Sequence, residues 1–409
     1  MKRHLFLMSL CAVSLHFTSC SNDLDETLES NLPSAEIQEQ IPQGKFAEPD
    51  NAKQISGADN LKLKRLLDAA GTEIINSLGS INITEDQYTE IKTFTDELVK
   101  GIESETEIYK VLFNWVTKNI KYEYGNNDPY PVFINRYGIC QGYANLLTVM
   151  CHTQNVPAMV VNGILDPIGG HAWVYACPDD KWIVSDPTNG GDYDMANTTE
   201  YKHLLPSHAD VVLFEDEVAT YNYAYSRLNI KEVRSTDENF TVPYSAGGYI
   251  ITSFNPTSDL PKTIKQLYIG NNIVTLGDAP IGLNTYGKYI EAAHVEETNK
   301  YLISHKGAVY KKNGGNPILY YVPLKMKCLE LLPMETVGKN TIYNNPSIEE
   351  IVFSEGTNYI ESYAVENCPK LVRVYVPENT EIAAGAFYKC SPRLEIIRGS
   401  VSGISHVKM

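Results

Sequence analysis

Three residue types that together can carry out nucleophilic catalysis occur in order along this 409-residue chain: a cysteine, a histidine and an aspartate. They are Cys140, His171 and Asp186, and each lies in a distinct local sequence. A thiol attacks a carbonyl carbon as its thiolate, so it needs a base to take its proton and a third group to orient that base. The chemistry open to these residues is therefore acyl transfer through a thioester.

The stretch YGICQGYANLL, residues 137–147, predicts that Cys140 opens a helix that ends at Pro157. The free N–H groups and the positive dipole end of a helix stabilise a thiolate and can also hold an oxyanion. Taken alone, a cysteine in such a stretch is compatible with a packed core as well as with catalysis. A second oxyanion donor is not identifiable, and Asn135 and Tyr137 are only near in sequence.

The residues around His171 and Asp186 predict a hairpin, because the apolar segments HAWVYA and KWIVSD are joined by CPDD, which is typical of a turn. A turn centred between Pro178 and Asp179 brings the imidazole and the carboxylate together on one face. The predicted cross-strand pairs are His171 with Asp186, Trp173 with Val184, and Tyr175 with Trp182. This arrangement favours catalysis over packing as the role of Cys140.

The motifs GICQGYANLL, GGHAWVY and W-x-x-x-DPT resemble those of the transglutaminase-like superfamily, as does the preceding NWVTKNIKYEYG. The resemblance spans about residues 105–190 and implies a papain-like α+β fold with the cysteine helix packed on a sheet. It implies that Cys140 is the nucleophile, His171 the general base and Asp186 its orienting partner. The superfamily contains transglutaminases, peptidases, amidases and some inactive relatives.

Metal and cofactor sites are not expected from the remaining polar residues. A zinc site would have to use Cys140, Cys151, His152 and His171. It is disfavoured because Cys140 and Cys151 are about three helical turns apart. Calcium at Asp192 and Asp194 is an alternative to an ordinary loop, and the loop is preferred. Cys151 is expected in the buried face of its helix and Cys177 at a strand end.

Residues 56–240 are expected to form the α+β domain that positions the three residues. Residues 60–120 contain apolar positions at helical spacing, and Thr84 followed by two acidic residues is a favourable helix start. The segments VPAMVVNGI, HAWVYA and KWIVSD then predict a mostly antiparallel sheet. The helices thus precede the sheet, as is typical of an α+β domain.

Residues 245–409 change in character and contain units with a period of 23 residues. Residues 348–370 align with residues 371–393, and Cys368 falls at the same repeat position as Cys390. Units of this length with one short strand and inward apolar residues are typical of a solenoid of the leucine-rich size class. The second part is therefore predicted to be a β-rich solenoid.

These units resemble the BspA-type leucine-rich repeat of bacterial surface proteins. Residues 301–323 also resemble the strand-rich unit that interrupts such arrays. Cys368, Cys390 and Cys328 are expected to fill the stacked core as small apolar side chains. No spacing among the cysteines demands a disulfide.

The chain starts with the features of an export signal. Residues 1–19 have a basic beginning and an apolar run from Leu5 to Phe17 that is too short for a permanent membrane span. With Cys20 they resemble the lipobox of bacterial lipoproteins, which implies cleavage before Cys20 and its lipidation; an ordinary secretory signal is the alternative. Residues 20–55 are acidic and polar and are expected to form a disordered tether. The predicted location is the outer membrane or cell surface of a Gram-negative bacterium.

The formal net charge of −16 argues against a nucleic-acid partner, because binding to phosphates requires a basic surface. The expected partners are a protein or peptide substrate and, through the repeats, a host or cell-surface partner. Membrane contact is expected through the lipid anchor only.

Two functions are compatible with the sequence. The first is an exported enzyme that acts on peptide or side-chain amides, with repeats that bind its substrate or a partner. Hydrolysis is preferred to cross-linking because it needs only water. The alternative is a non-catalytic surface binding or adhesion protein in which the transglutaminase-like domain is a scaffold.

Overall fold

A computed structural model describes residues 45–57, 59–70, 81–195, 201–202, 212–224, 227–277 and 282–401 of the chain. The expected signal peptide, the expected lipidation site at Cys20 and most of the expected tether lie outside these ranges. Among the residues so described, no helix has the length and apolar character needed to cross a membrane.

Two of the described helices begin at side-chain caps. The helices are α1 (Asp59–Ala70), α2 (Glu85–Leu98), α3 (Glu105–Asn119), α4 (Pro129–Asn135), α5 (Cys140–Thr153) and, much later, the short α6 (Gly282–Tyr286). Thr84 and Gln87 form a reciprocal capping box at the start of α2. The hydroxyl of Ser104 accepts a hydrogen bond from the backbone N–H of Glu107 at the start of α3. The helical pattern expected from residue 60 to residue 120 is confirmed where the chain is described.

The sheet next to α5 is antiparallel throughout, as the sequence predicts. The first strands are β1 (Lys121–Tyr122), β2 (Tyr137–Gly138), β3 (Ala158–Leu165), β4 (Gly169–Ala176), β5 (Ile183–Ser185) and β6 (Tyr201–Lys202). The sheet has the order β5-β4-β3-β6, while β1 and β2 form a separate parallel pair. Along β4, Ala172 and Val174 pack in the core under α5, and Trp173 packs in the core under α1. Helices therefore cover both faces of this sheet.

The register of the β4–β5 hairpin differs by two residues from the predicted one. The observed pairs are Val174 with Ser185, Tyr175 with Val184, and Ala176 with Ile183. The predicted pairs of His171 with Asp186, Trp173 with Val184, and Tyr175 with Trp182 are therefore wrong. Asp186 lies just beyond β5, and His171 reaches it as a diagonal neighbour, a separation that long side chains can span.

The cause of the shifted register is the connection between β4 and β5. Residues Pro178–Asp180 form a 3-10 turn in which Asp179 and Asp180 are both left-handed, with φ values of 49° and 57°. The Asp179 carboxylate accepts a 3.0 Å hydrogen bond from the backbone N–H of Thr106 at the start of α3. The turn is thus fixed to a helix, and Trp182 leaves the strand to bury its indole in the core.

The strands that follow form several antiparallel pairings and a series of parallel sheets. They are β7 (Phe214–Glu215), β8 (Ala219–Ala224), β9 (Arg227–Val233), β10 (Asn239–Thr241), β11 (Ser245–Ala246), β12 (Tyr249–Ile250), β13 (Ser253–Phe254), β14 (Gln266–Ile269), β15 (Ala292–Val295), β16 (Leu302–His305), β17 (Ala308–Lys311), β18 (Ile318–Tyr321), β19 (Cys328–Glu330), β20 (Thr336–Val337), β21 (Ile342–Tyr343), β22 (Glu350–Val352), β23 (Tyr359–Ile360), β24 (Val365–Glu366), β25 (Arg373–Val376), β26 (Glu381–Ile382), β27 (Phe387–Tyr388) and β28 (Glu395–Arg398).

One hydrophobic core runs without interruption from the first sheet into the parallel strands. Its buried members include Leu66, Trp173, Tyr221, Phe254, Leu267 and Tyr321. The backbone also crosses between the two parts, because β13 adds a parallel strand to the β7–β9 sheet through the pair Ser253 and Asn229. The two parts of the chain therefore share a core, and a cut between them would expose its apolar residues to water.

The C-terminal part is a β-solenoid whose coils stack in parallel. Its sheets have the orders β19-β22-β25-β28, β20-β23-β26 and β21-β24-β27. The stacked residues Cys328, Glu350, Arg373 and Glu395 are 22, 23 and 22 residues apart, so the period is not uniformly 23. The segment between Tyr375 and Glu381 is one residue shorter than the matching segment between Val352 and Tyr359, and the shortening lies in a turn. Turns absorb a change of length without disturbing the stacked strands.

An antiparallel sheet interrupts the stacked parallel strands of the solenoid. Strands β16, β17 and β18 form an antiparallel sheet, which confirms the expected strand-rich unit at residues 301–323. The parallel sheet β10-β14-β15 already precedes that unit. The solenoid stacking thus begins upstream of the strand-rich unit and resumes after it.

Residues 45–57, which include residues 45–55 of the expected tether, lie against the start of the solenoid. The backbone N–H of Lys53 donates to the carbonyl of Gly248 at 2.8 Å, and the carbonyl of Lys53 accepts from the N–H of Ile250 at 3.1 Å. The Phe46 ring packs edge-on against Tyr268, with 5.7 Å between ring centroids. We call residues 45–57 the N-terminal strap.

A buried amide, Asn299, joins the start of β16 to the chain that follows β14. Its Nδ2 donates to the carbonyls of Gly270 and Ile273, each at 2.9 Å. Its Oδ1 accepts from the N–H groups of Tyr301 and Leu302, each at 2.8 Å. One side chain therefore bonds four backbone groups, of which the Gly270 carbonyl also accepts from the N–H of Ile273 at 3.3 Å.

We predict that Asn299→Ala lowers the free energy of unfolding by about 3 kcal/mol or more, because each buried group left without a partner costs about 1–3 kcal/mol. Denaturant unfolding of the whole chain measures the effect. The matched control is Asn313→Ala, at an exposed position. Equal stabilities of the two variants would contradict the role of Asn299.

Candidate active site

Cys140 is the first residue of α5 and is half-buried. The residue before it, Ile139, has an extended conformation and offers no side-chain cap, so no side chain of that residue occupies the helix start. The N–H groups of a first helical turn have no partners within the helix. The expected helix start at Cys140 is therefore present, with backbone donors around the sulfur.

The two glycines that flank Cys140 are required by a close approach of the backbone. A Cβ atom on Gly142 would lie 2.7 Å from the Asn126 carbonyl oxygen and 2.8 Å from Val132 Cγ2. A Cβ atom on Gly138 would meet the same two residues at 3.0 and 2.8 Å. The loop before α4 thus packs directly against the helix start and fixes the position of Cys140.

The Cys140 sulfur lies among groups that favour its ionised form. Burial raises its pKa, but a hydrogen bond with His171 and bonds from the N–H groups of Ala172 and Gln141 outweigh burial, so the pKa is lowered from its ordinary value. A lowered pKa increases the fraction of nucleophilic thiolate at neutral pH. The interactions of the sulfur with His171 and with these N–H groups are therefore the physical means by which the site activates the thiol.

His171 connects Cys140 to Asp186. Its Nε2 lies 2.7 Å from Asp186 Oδ2, which leaves Nδ1 as the ring nitrogen for the thiol. Burial lowers the pKa of His171, but the bonds to Asp186 and Cys140 outweigh it and raise the pKa to about 9. The imidazolium and the thiolate therefore favour each other. The structure does bring together the three residues that the sequence selects.

Asp186 is fully buried, and its carboxylate oxygens are surrounded by donors. Oδ1 accepts from the backbone N–H groups of Thr188 and Asn189, at 2.8 and 3.3 Å. Oδ2 accepts from Asn189 Nδ2 at 2.7 Å and from the Tyr201 hydroxyl at 2.6 Å, in addition to His171. Burial raises the pKa of Asp186, and these hydrogen bonds lower it below its ordinary value.

Two aromatic rings hold the imidazole in place. Trp173 stacks on His171 with 6.3 Å between centroids and an angle of 24° between planes. Tyr201 lies 6.1 Å from His171 and packs edge-on against Trp173 at 5.1 Å. Sequence reasoning missed Tyr201 and Asn189. The only available signal for Asn189 was its place just after DPT, and Tyr201 had none because its strand is two residues long.

Cys328 is half-buried and lies beside the core residue Leu329 on β19, outside the hydrophobic core of the solenoid, so the expectation that it fills the stacked core is wrong. The remaining cysteines are placed as expected. Cys151 is fully buried on the inner face of α5, and burial raises its pKa. Cys177 is buried just after β4, where burial raises its pKa to about 12. Cys368 is buried in the solenoid core, and Cys390 packs against the same core from the next coil. The cysteines within the described ranges are all free thiols.

Among the described residues, no cluster of three or more histidine, cysteine or acidic side chains could hold a metal ion. The residues considered above for zinc and calcium therefore form no metal site within these ranges. Asp192 and Asp194 belong to a loop, in which the N–H of Asp194 donates to Asp192 Oδ1 at 3.2 Å. Asn135 ends α4 at an exposed position, and Tyr137 belongs to β2. A second oxyanion donor is thus not assigned to either of these two residues.

The surface around Cys140 carries exposed apolar side chains. Tyr122 pairs along β1 with Gly138, close enough to Cys140 for the two groups to interact electrostatically, and its side chain is 52% exposed. Tyr124 follows it and is 85% exposed. Such residues near a reactive thiol can bind an apolar part of a substrate.

The fold and the site define a transglutaminase-like α+β domain, and the comparisons agree. Residues 92–187 match the model of the transglutaminase-like superfamily. Residues 325–404 match the BspA type leucine rich repeat region, in six copies. The chain therefore consists of a transglutaminase-like domain followed by a BspA-type leucine-rich repeat solenoid.

Solved structures similar to parts of the chain come from both groups. A candidate cysteine protease from Cytophaga hutchinsonii is 19% identical over 31% of this chain and 53% of its own, with a TM-score of 0.24. The periplasmic domain of TgpA from Pseudomonas aeruginosa is 20% identical over 29% and 50%, with a TM-score of 0.23. A leucine rich cell surface protein from Faecalibacterium prausnitzii is 12% identical over 42% and 60%, with a TM-score of 0.22. No curated protein matches the chain.

The two shifted pKa values predict a bell-shaped pH profile for alkylation of Cys140 by iodoacetate. The rate rises as pH passes the lowered pKa of Cys140, because the thiolate forms. It falls near pH 9, because His171 loses the proton that attracts the anionic reagent. Peptide mass spectrometry of Cys140 after timed labelling at each pH measures both limbs.

The matched variant for this measurement is His171→Asn, which removes the titrating ring. We expect its Cys140 to react only as pH approaches the ordinary thiol pKa of about 8.5, with no fall at higher pH. A profile identical to that of the unchanged protein would contradict the thiolate–imidazolium pair.

Proposed function

We propose that the chain is an exported cysteine enzyme that cleaves peptide or side-chain amides through a thioester on Cys140. The observation that carries the proposal is the buried 2.7 Å hydrogen bond between His171 and Asp186, beside the half-buried Cys140 thiol at the start of α5, whose pKa His171 helps to lower. In this proposal Cys140 is the nucleophile, His171 is the acid and base, and Asp186 orients the imidazole.

The first half of the reaction forms the acyl-enzyme. The Cys140 thiolate attacks the amide carbonyl carbon, a carbon–sulfur bond forms, and the carbonyl oxygen becomes an oxyanion. Backbone N–H groups at the start of α5 are placed to stabilise that charge. The imidazolium of His171 then donates its proton to the departing nitrogen as the carbon–nitrogen bond breaks, and an amine leaves.

The second half resolves the thioester. Neutral His171 takes a proton from a water molecule as the water oxygen attacks the acyl carbon. The carbon–sulfur bond breaks, a carboxylic acid leaves, and the thiolate–imidazolium pair is restored. An amine in place of water would give transamidation by the same steps. Hydrolysis is the preferred outcome because water needs no binding site of its own.

The test of the proposal is labelling of the whole chain by an alkyne-tagged peptidyl acyloxymethyl ketone, a thiol-reactive mimic of an amide substrate. We expect Cys140→Ala to lose at least nine-tenths of the labelling, because the activated thiol is gone. Its unfolding transition should be unchanged. The probe signal is read by gel fluorescence and located by peptide mass spectrometry.

The matched control is Cys328→Ala, which removes another half-buried thiol, one whose pKa burial raises to about 11. That variant should label like the unchanged protein. Equal labelling of the Cys140→Ala variant would overturn the assigned nucleophile. Failure of the unchanged protein to label would favour the non-catalytic binding alternative.

We further propose that the protein is carried to the outer membrane or cell surface and held there by lipid on Cys20. The support is the sequence at residues 1–20, with its basic start, short apolar run and cysteine after small residues. The repeats then bind a protein substrate or a host or cell-surface partner. Experiments on that role require the whole chain, because the shared core does not permit the repeats to be cut away cleanly.

We predict that Cys20→Ala abolishes incorporation of an alkyne-tagged fatty acid when the chain is expressed in a Gram-negative host, because the acceptor sulfur is missing. Gel fluorescence after conjugation of the tag measures incorporation. The control is Cys11→Ala, which changes a cysteine inside the expected signal and should leave labelling intact. Fatty-acid labelling that persists in the Cys20→Ala variant would refute lipidation at this residue.

A further inference from the structure

Tyr201 occupies a position from which one hydroxyl can influence the whole site. It is the first residue of β6, where it pairs with Leu165 of β3, and its side chain is buried. Its hydroxyl donates to Asp186 Oδ2 at 2.6 Å. The ring is held against Trp173 and His171. The hydroxyl therefore has one defined direction.

The Asp186 oxygen that accepts this bond is Oδ2, which also accepts the hydrogen bond from His171. Oδ2 accepts from His171 Nε2 at 2.7 Å, from Asn189 Nδ2 at 2.7 Å and from Tyr201. Each further donor stabilises the carboxylate and takes a share of its negative charge. The charge that remains to hold the proton on His171 is correspondingly smaller.

We propose that Tyr201 is a positioning residue whose hydroxyl fixes the Asp186 carboxylate and limits the charge that it offers to His171. Tyr201 thereby sets the highest pH at which the thiolate–imidazolium pair exists. The inference deepens the proposed function and rests on it, because it concerns the protonation of the same histidine.

The ionisable groups that face His171 come from three elements. Cys140 approaches from α5, Asp186 from the chain beyond β5, and Tyr201 from β6. On the β3 side, His171 pairs with Gly163, which has no side chain. Because Cys140 and Asp186 are left unchanged, removal of the Tyr201 hydroxyl isolates its effect on the proton of His171.

The experiment is the iodoacetate pH profile of Cys140 in the whole chain, with Tyr201→Phe. This change keeps the ring and removes the hydroxyl that donates to Asp186. We expect the alkaline limb, near pH 9 in the unchanged protein, to move upward by roughly half to one pH unit, since loss of one hydrogen bond to a carboxylate strengthens the bonds that remain. The limb at low pH should move little.

The matched control is Tyr109→Phe. Tyr109 is another buried tyrosine, whose hydroxyl bonds to Ser185, the residue just before Asp186, but belongs to no part of the proposed machinery. Its profile should follow that of the unchanged protein. Asn189→Ala removes a second donor from Oδ2 and should also move the limb upward, which provides the test if Tyr201→Phe does not fold.

An alkaline limb that stays in place or moves downward in Tyr201→Phe would overturn the inference. The His171→Asn profile separates this failure from failure of the proposed function. If His171→Asn abolishes the limb while Tyr201→Phe does not move it, only the role of Tyr201 is wrong. If His171→Asn leaves the limb intact, the thiolate–imidazolium pair is wrong and the inference falls with it.

Discussion

The arrangement of the site depends on one buried charge, the carboxylate of Asp186. Removing an ionised group from water costs several kcal/mol, even after the protein relaxes around it. Five donors offset that cost here, two from the backbone that follows β5 and three from side chains on separate elements. Because these donors must converge on one carboxylate, the positions of β4, β5 and β6 are mutually constrained. The imidazole that meets Cys140 is one of the five, so its orientation follows from the burial of the charge.

The second constraint is the core that joins the transglutaminase-like domain to the solenoid. Trp173, which stacks on His171, belongs to the same cluster as Phe254 and Tyr321 beyond the domain. A substitution in the first coils of the solenoid can therefore affect the sheet that carries the site, through packed side chains rather than through a flexible linker. The repeats are part of the structural support of the proposed active site.

The sequence was sufficient to predict the elements that depend on local pattern. The helix beginning at Cys140, the antiparallel sheet and the stacked repeats all have periodicities or caps that are visible in one stretch of chain. The register of the β4–β5 hairpin was wrong by two residues, because it depends on left-handed residues Asp179 and Asp180 and on a bond to the start of α3. Tyr201 could not be predicted at all. A strand of two residues has no period, and its hydroxyl meets Asp186 only through the fold.

The N-terminal strap has a mechanical consequence. Residues 45–57 are bonded along the backbone to Gly248 and Ile250, at the first coils of the solenoid, and not to the sheet that carries His171. A pull on the chain before residue 45 would therefore load the strap's own contacts first, beginning with the bond from the Thr241 hydroxyl to the Lys45 carbonyl and the packing of Phe46 on Tyr268. The contacts of the strap with the solenoid therefore lie between the N-terminus of the chain and the residues Cys140, His171 and Asp186.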